Sequence, residues 1–283
     1  MFEYVREIVA AVEADESVKS RAEALDKLRP LGLEHFGEVL WSMPNPSFPK
    51  LSGLLPRMAS PLVQRNWTGN EGAVLLKQSA EFVRSLAYNF TSISGLSLEA
   101  ARILDYGCGY GRLTRLMYKF APEERVIGVD PWTQSVQISI EDGLRYVYLS
   151  DYLPSTLPVV GKFHLIYAFS VFTHLSKRAT LQAMKTLRSY VHDGGVLAIT
   201  IRPVEYWAEQ HKDMAGVRQR EHRDAGFAFC PHARPQVDGD ITYGDTSMTT
   251  QWLADNCPEW RLVTEDWTME DAQQRYLFLR PQY

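Results

Sequence analysis

The sequence predicts an α/β fold: a doubly wound, mostly parallel seven-stranded sheet with a helical N-terminal cap and an insertion after the fifth strand. Three observations carry this. From Ala101 onward, short β-type apolar runs alternate with runs of helical spacing, the pattern of parallel strands joined by crossover helices. The first of these runs ends in Gly107-Cys108-Gly109-Tyr110-Gly111, and a helical run follows at once. Two further β runs close the chain and bring the total to seven.

The elements follow in order. Val5, Ile8, Val9 and Val12, then Val18, Ala22, Leu25 and Leu28, have helical spacing and predict two short amphipathic helices stopped at Pro30. Five prolines between Pro44 and Pro61 exclude regular helix or central strand there, and Trp41, Phe48, Leu51, Leu54 and Leu55 around them predict an ordered irregular segment packed on the main domain. Helical periodicity resumes from Glu71 to Phe90 after the polar turn Asn66-Trp67-Thr68-Gly69-Asn70. Strands are expected at Arg102 to Asp105, Arg125 to Asp130, Tyr146 to Leu149, Phe163 to Phe169 and Gly195 to Arg202, the last entered through an Asp193-Gly194-Gly195 turn. Helices are expected from Gly111 to Phe120, Gln134 to Asp142 and Lys177 to Val191. After the insertion, Pro203 to Asp245, come a helix from Thr246 to Asn256 and β runs at Trp260 to Glu265 and Arg275 to Leu279. The division expected is a cap over residues 1–95 and an α/β domain over 96–283.

Composition bounds the chemistry. A chain of 283 residues that is 45% apolar and 23% charged has ample core, and disorder over most of its length is excluded. Thirty basic against 34 acidic residues, net −4, argue against a dedicated binder of nucleic acid or anionic membrane. Cys108, Cys230 and Cys257 are too few and scattered for a disulfide framework or a paired-cysteine zinc site, which fits a reducing compartment. No run of 18 apolar residues occurs and the start lacks a secretory signal, so the reading is a soluble cytoplasmic protein.

The glycine-rich turn is the strongest chemical signal. Glycines there let backbone approach a ligand, and the following helix N-terminus presents free N–H groups. Asp130 lies at the predicted carboxyl end of the second strand, 23 residues after Gly107, near the offset at which an acidic side chain accepts hydrogen bonds from ribose hydroxyls. An adenosine-type cofactor is implied. A dinucleotide fingerprint needs a glycine three residues after Gly109, where Arg112 stands instead, so a nicotinamide-dependent oxidoreductase is disfavoured.

Asp105-Tyr106-Gly107-Cys108-Gly109-Tyr110-Gly111 resembles the Asp-x-Gly-x-Gly-x-Gly motif of class I S-adenosylmethionine-dependent methyltransferases at every defined position. The resemblance runs from about Ala101 through the fifth strand and implies a Rossmann-like fold with S-adenosyl-L-methionine as cofactor. It implies that Asp105, Gly107, Gly109 and Gly111 shape the methionine pocket, where a bulky residue at Gly107 would intrude. It places Asp130 on the ribose, Pro131 and Trp132 against adenine, Asp151 near the adenine amine, and the backbone at Phe169 and Ser170 by the methionine amine. Trp132 also reads as surface cover, and Asp151 as a helix cap. The Asn66 to Gly69 turn would supply Trp67 as a flap on the methionine end, or be an ordinary capping turn.

On the acceptor side, His174 would sit near the reacting methyl as general base or positioning group, with packing of the next helix as the alternative. Glu205 and His211 follow the fifth strand and would reach the same space. The insertion lies where this fold places acceptor-binding loops. Its Arg218, Arg220 and Arg223 would grip an anionic group or form a solvated helix face, and zinc through Cys230 and His232 lacks partner spacings, so no metal is expected. The activity expected is O-methylation of a small metabolite or sugar, with no nucleic-acid or membrane partner. The alternatives are the oxidoreductase and a non-catalytic partner subunit of the same fold.

Overall fold

A computed structural model describes residues 3–210, 215–268 and 273–282. Its strands are β1 (Ile103–Tyr106), β2 (Val126–Asp130), β3 (Val147–Leu149), β4 (Phe163–Ala168), β5 (Val191–Ile201), β6 (Phe227–Pro231), β7 (Gly244–Met248), β8 (Trp260–Asp266) and β9 (Arg275–Pro281). Seven of them form one sheet in the order β3-β2-β1-β4-β5-β9-β8, with β1 to β5 parallel and β9 antiparallel to both of its neighbours. Both β1 and β2 are buried along their whole length, as central strands covered on both faces must be. Strand order reverses between β1 and β4. The crevice outside their carboxyl ends is the place such sheets bind ligands.

Six helices precede the sheet: α1 (Glu3–Ala14), α2 (Arg21–Leu28), α3 (Leu33–Trp41), α4 (Pro49–Leu54), α5 (Pro61–Thr68) and α6 (Gly72–Ser94). Helices α7 (Arg112–Met117), α8 (Thr133–Glu141) and α9 (Lys177–Tyr190) connect the strands. The region after β5 adds α10 (Tyr206–Gln210), α11 (Ala215–Ala225) and α12 (Thr250–Asn256).

Several expectations are corrected. The proline-rich segment holds two short helices, because Pro49 and Pro61 stand in first turns, where the missing N–H costs nothing. Residues Asn66 to Thr68 are the last turn of α5, ended by left-handed Gly69, so Trp67 projects from a helix. The unforeseen α3 packs on α6 and α7 through Gly37, where an added Cβ would lie 2.5 Å from Leu76 and 2.8 Å from Leu116. Asp193-Gly194-Gly195 is no turn before a strand: β5 starts at Val191, and its pairing with β4 shifts register there. Thr246 to Met248 belong to β7, paired antiparallel with β6, and α12 starts only after the Thr249 side chain caps it.

The sheet has one core on each face. One joins Leu25, Phe36 and Phe82 of the helical segment to Tyr167 and Phe278 of the sheet, and the other joins Met184, Leu187 and Trp252 to Ile166 and Leu277. Polar ties reinforce the first. Buried Arg21 donates to Glu123 (2.9 Å) and to the Gly143 carbonyl (2.7 Å), and fully buried Arg115 donates to the Arg57 and Tyr110 carbonyls. Phe82 is the apolar keystone, its ring 4.6 Å from that of Phe169 and edge-on to Tyr276 at 5.1 Å.

Removing that ring leaves a cavity between helix and sheet. Phe82→Ala is expected to lower stability by about 3–5 kcal/mol in urea unfolding. Tyr88→Ala on the same helix, at a side chain 72% exposed, should stay within about 0.5 kcal/mol of the parent.

Candidate active site

The floor of the crevice is the turn after β1. Buried Asp105 accepts a hydrogen bond from Thr114 Oγ1 at 2.6 Å, and burial pushes its carboxyl up to about 6. The turn's three glycines all have left-handed backbone, with φ of 75°, 57° and 75°, but they serve different ends. A Cβ on Gly107 would lie 2.4 Å from Val171 Cγ2, and one on Gly111 2.1 Å from Leu144 Cδ1. The neighbour that would first meet a side chain at Gly107 is therefore Val171, a packing contact rather than open pocket. A Cβ on Gly109 would meet nothing within 4 Å, so this is the glycine that leaves the loop open.

Asp130 ties the turn to β2. One carboxylate oxygen accepts the Gly109 N–H and the other the Trp132 N–H, both at 2.9 Å. Burial raises its carboxyl and these two donors pull the other way. Trp132 stacks on Trp67 with ring centroids 4.4 Å apart, and Tyr110 lies 5.7 Å from Trp67, so α5 and the ends of β1 and β2 share an aromatic wall. Pro131 is half-buried beside it, and Asp151 is exposed past the end of β3.

The opposite wall follows β4. Phe169 lies beneath the Arg112 guanidinium, 4.9 Å from it, and Arg112 donates to Ser79 Oγ at 2.7 Å. Ser170 has φ 58°, a conformation a non-glycine residue holds only under constraint, and its N–H donates to Thr200 Oγ1 at 2.7 Å. His174 has both nitrogens engaged: Nδ1–H donates to the Gly244 carbonyl (2.7 Å), so Nε2 accepts from Arg202 (3.2 Å). Burial and the Arg202 charge lower it to about 4. That corrects its expected role as general base, since neither nitrogen is free to take a proton. Its ring instead stacks almost parallel on Tyr243, at 5.0 Å and 7°.

Above this wall the hairpin of β6 and β7 places Asp245 at the centre of a polar cluster. Asp245 accepts from Arg202 (2.7 Å), Tyr206 OH (2.8 Å) and His232 Nε2 (2.8 Å). Burial works against its charge, but the His232 hydrogen bond and the Arg202 charge hold its carboxyl well below the usual carboxylate range. Arg234 lies over the Trp132 ring (5.8 Å) and the Tyr243 ring (5.5 Å), bridging this cluster to the wall at β2.

Of the other acceptor-side candidates, Glu205 is exposed and its charge acts on His222, which bonds Ser247 rather than His174. His211 lies outside the described residues. Arg218 pairs with Glu221, and Arg220 and Arg223 are exposed. Among the described residues no cluster of His, Cys, Asp and Glu suits a metal. Sequence reading missed the pairing of Arg202 and Asp245, and no periodicity marks it. A buried Asp inside a β run was the available signal, hidden by assigning Thr246 onward to a helix.

The chain is similar to known proteins over this same region. A family model described as a methyltransferase domain matches residues 75–233. A trans-aconitate 2-methyltransferase of Azoarcus sp. (strain BH72) is 31% identical over 174 residues, covering 55% of this chain and 67% of that protein. One from Afipia carboxidovorans is 26% identical over 148 residues, and this chain spans 56% of its length. The fold matches a solved S-adenosylmethionine-dependent methyltransferase from Clostridium acetobutylicum with a TM-score of 0.51 at 12% identity, over 78% of this chain and 97% of that one.

Two outcomes test this geometry. Gly109→Ala should cost only the left-handed backbone term of about 1–2 kcal/mol, and Gly111→Ala clearly more, because its Cβ also meets Leu144; urea unfolding of both variants checks the order. Asp245 has a folded-state pKa depressed below its unfolded value near 3.9, so its contribution to stability is present above about pH 4 and is lost as pH falls through the folded value. The stability gap between wild type and Asp245→Asn should therefore be widest at neutral pH and shrink below about pH 4.

Proposed function

The chain belongs to the methyltransferase-domain family and is an S-adenosylmethionine-dependent methyltransferase, and from that premise we propose that it methylates an oxygen of a small acceptor held beneath the β6–β7 hairpin. The observation that carries the reading is the open position at Gly109 beside the Asp130 carboxylate, at the carboxyl edge where strand order reverses. A cradle with one face free of side chains and a buried carboxylate at its rim fits an adenosyl cofactor. The cofactor supplies an electrophilic methyl group on a sulfonium.

In this reading the chain's own residues bind and orient. Gly107, Gly109 and Gly111 shape the loop that follows the methionine moiety, braced from below by Asp105. Asp130 accepts from the ribose hydroxyls. Pro131, Trp132 and Trp67 form the adenine wall, Asp151 meets the adenine amine, and the backbone at Phe169 and Ser170 receives the methionine amine. Alignment of the acceptor oxygen with the methyl group is then the main demand on the remaining residues.

The acceptor lies against the Asp245 cluster in this reading. Arg234 adds a cation at the rim that no described carboxylate pairs with, which suits an acidic small molecule. The similarity to trans-aconitate 2-methyltransferases supports the same class. No described helix is long and apolar enough to cross a membrane.

Calorimetry with S-adenosylhomocysteine should show binding that Asp130→Ala weakens by about 1–3 kcal/mol, with no binding of NADH. A turnover assay should show S-adenosylhomocysteine formed with one member of a panel of trans-aconitate, hydroxy acids and sugar acids. Tight NADH binding without S-adenosylhomocysteine binding would end this reading.

A further inference from the structure

Asp245 is the group most heavily used above the crevice, and one of its partners differs from the rest. Arg202, just after β5, divides its donors among Asp245, the Thr173 carbonyl and His174 Nε2, and Tyr206 on α10 gives Asp245 its one hydroxyl proton. His232 gives it only Nε2–H, at 2.8 Å. In a neutral imidazole bonded this way the second nitrogen, Nδ1, carries a lone pair. No described residue bonds that atom, and the side chain is 39% exposed, against 17% for His174.

The location is also suitable. His232 lies edge-on to Tyr243 at 5.5 Å, and its backbone N–H donates to the Tyr243 carbonyl at 3.1 Å. The charge of Asp130 reaches the Tyr243 hydroxyl, and Arg234 spans Tyr243 and Trp132. The imidazole thus stands on the same rim as the adenosine wall. The charged and titratable groups around it are Asp245 on β7, Tyr243 just before β7, His174 after β4, Arg202 after β5, Tyr206 on α10, and Arg234 on the segment after β6.

We propose that His232, oriented by Asp245, accepts the proton of an acceptor hydroxyl during methyl transfer, and that the acceptor therefore carries a hydroxyl as its nucleophile. The proposal rests on the methyltransferase reading above. The acceptor oxygen forms its bond to the methyl carbon as the sulfur–methyl bond breaks. That bond's electron pair stays on sulfur, leaving neutral S-adenosylhomocysteine, and the hydroxyl proton passes to His232 Nδ1. Asp245 keeps the imidazole in the tautomer that exposes Nδ1 and steadies the cation that forms, while Arg202 and Tyr206 fix Asp245. His174, with both nitrogens spent, positions Tyr243 and takes no proton.

The test uses the full chain with ¹⁵N-labelled histidine, read by NMR. In the S-adenosylhomocysteine complex His232 should carry its neutral-state proton on Nε2. Replacing that ligand by S-adenosylmethionine adds one positive charge at the reacting sulfur and should shift the His232 side-chain ¹⁵N resonances, whereas those of His192, whose ring lies against His164 on the opposite end of the sheet, should not respond. The variant His232→Gln can still donate to Asp245, so it should retain fold and S-adenosylhomocysteine affinity. With the acceptor returned by the turnover screen, it should lose about 100- to 10,000-fold in kcat together with the acid limb of the pH profile. A proton on Nδ1, no response to the sulfonium charge, or a His232→Gln enzyme with wild-type kcat overturns the proposal. Failure to bind S-adenosylhomocysteine at all would instead overturn the reading on which it rests.

Discussion

A carboxylate taken out of water has to be given hydrogen-bond donors, and Asp130 receives them from the backbone of two segments that would otherwise be independent. Its bond to the Gly109 N–H holds the turn after β1 against the end of β2. Its bond to the Trp132 N–H fixes how the chain leaves β2, and so where the Trp67–Trp132 wall stands. The same carboxylate that organises the cradle is the group proposed to meet ribose, so in that proposal binding and architecture share one residue.

A second buried carboxylate organises the roof in the same manner. Asp245 gathers a guanidinium from the end of β5, a phenol from α10 and an imidazole from the start of the insertion's long loop. Each partner is half or more buried, so losing any one would leave a charge or donor unsatisfied. The consequence is a roof that is stiff at Asp245 and open at His232 and Arg234. His174 illustrates the cost of such packing: a histidine placed where chemistry was expected has been enclosed until it can only hold other groups in place.

The N-terminal helices contribute through burial rather than chemistry. Phe82 from α6 and Arg112 from the start of α7 both pack against the Phe169 ring. Through Arg21, Arg115 and the shared core, the cap fixes the outer edge of the loop region between α8 and β3. Trp67 meets Tyr110 and Trp132 from the last turn of α5.

The amino-acid sequence by itself determined the strand–helix alternation, the seven strands, the glycine turn and the acidic residue after β2. These are legible because burial imposes a period of two or 3.6 residues on neighbouring positions, and because a left-handed turn admits glycine where little else fits. Tertiary structure alone decided the rest. It showed that Gly107 and Gly111 yield space to Val171 and Leu144 while Gly109 stays open, that Thr246 lies in a strand, and that the free imbalance of hydrogen bonds sits at His232 and not at His174. Those outcomes turn on contacts such as Arg202 with Asp245 and His174 with Gly244, between residues tens of positions apart. No local period records such a pairing, because the energy that selects it arises only when the hairpin after β5 folds back over the sheet.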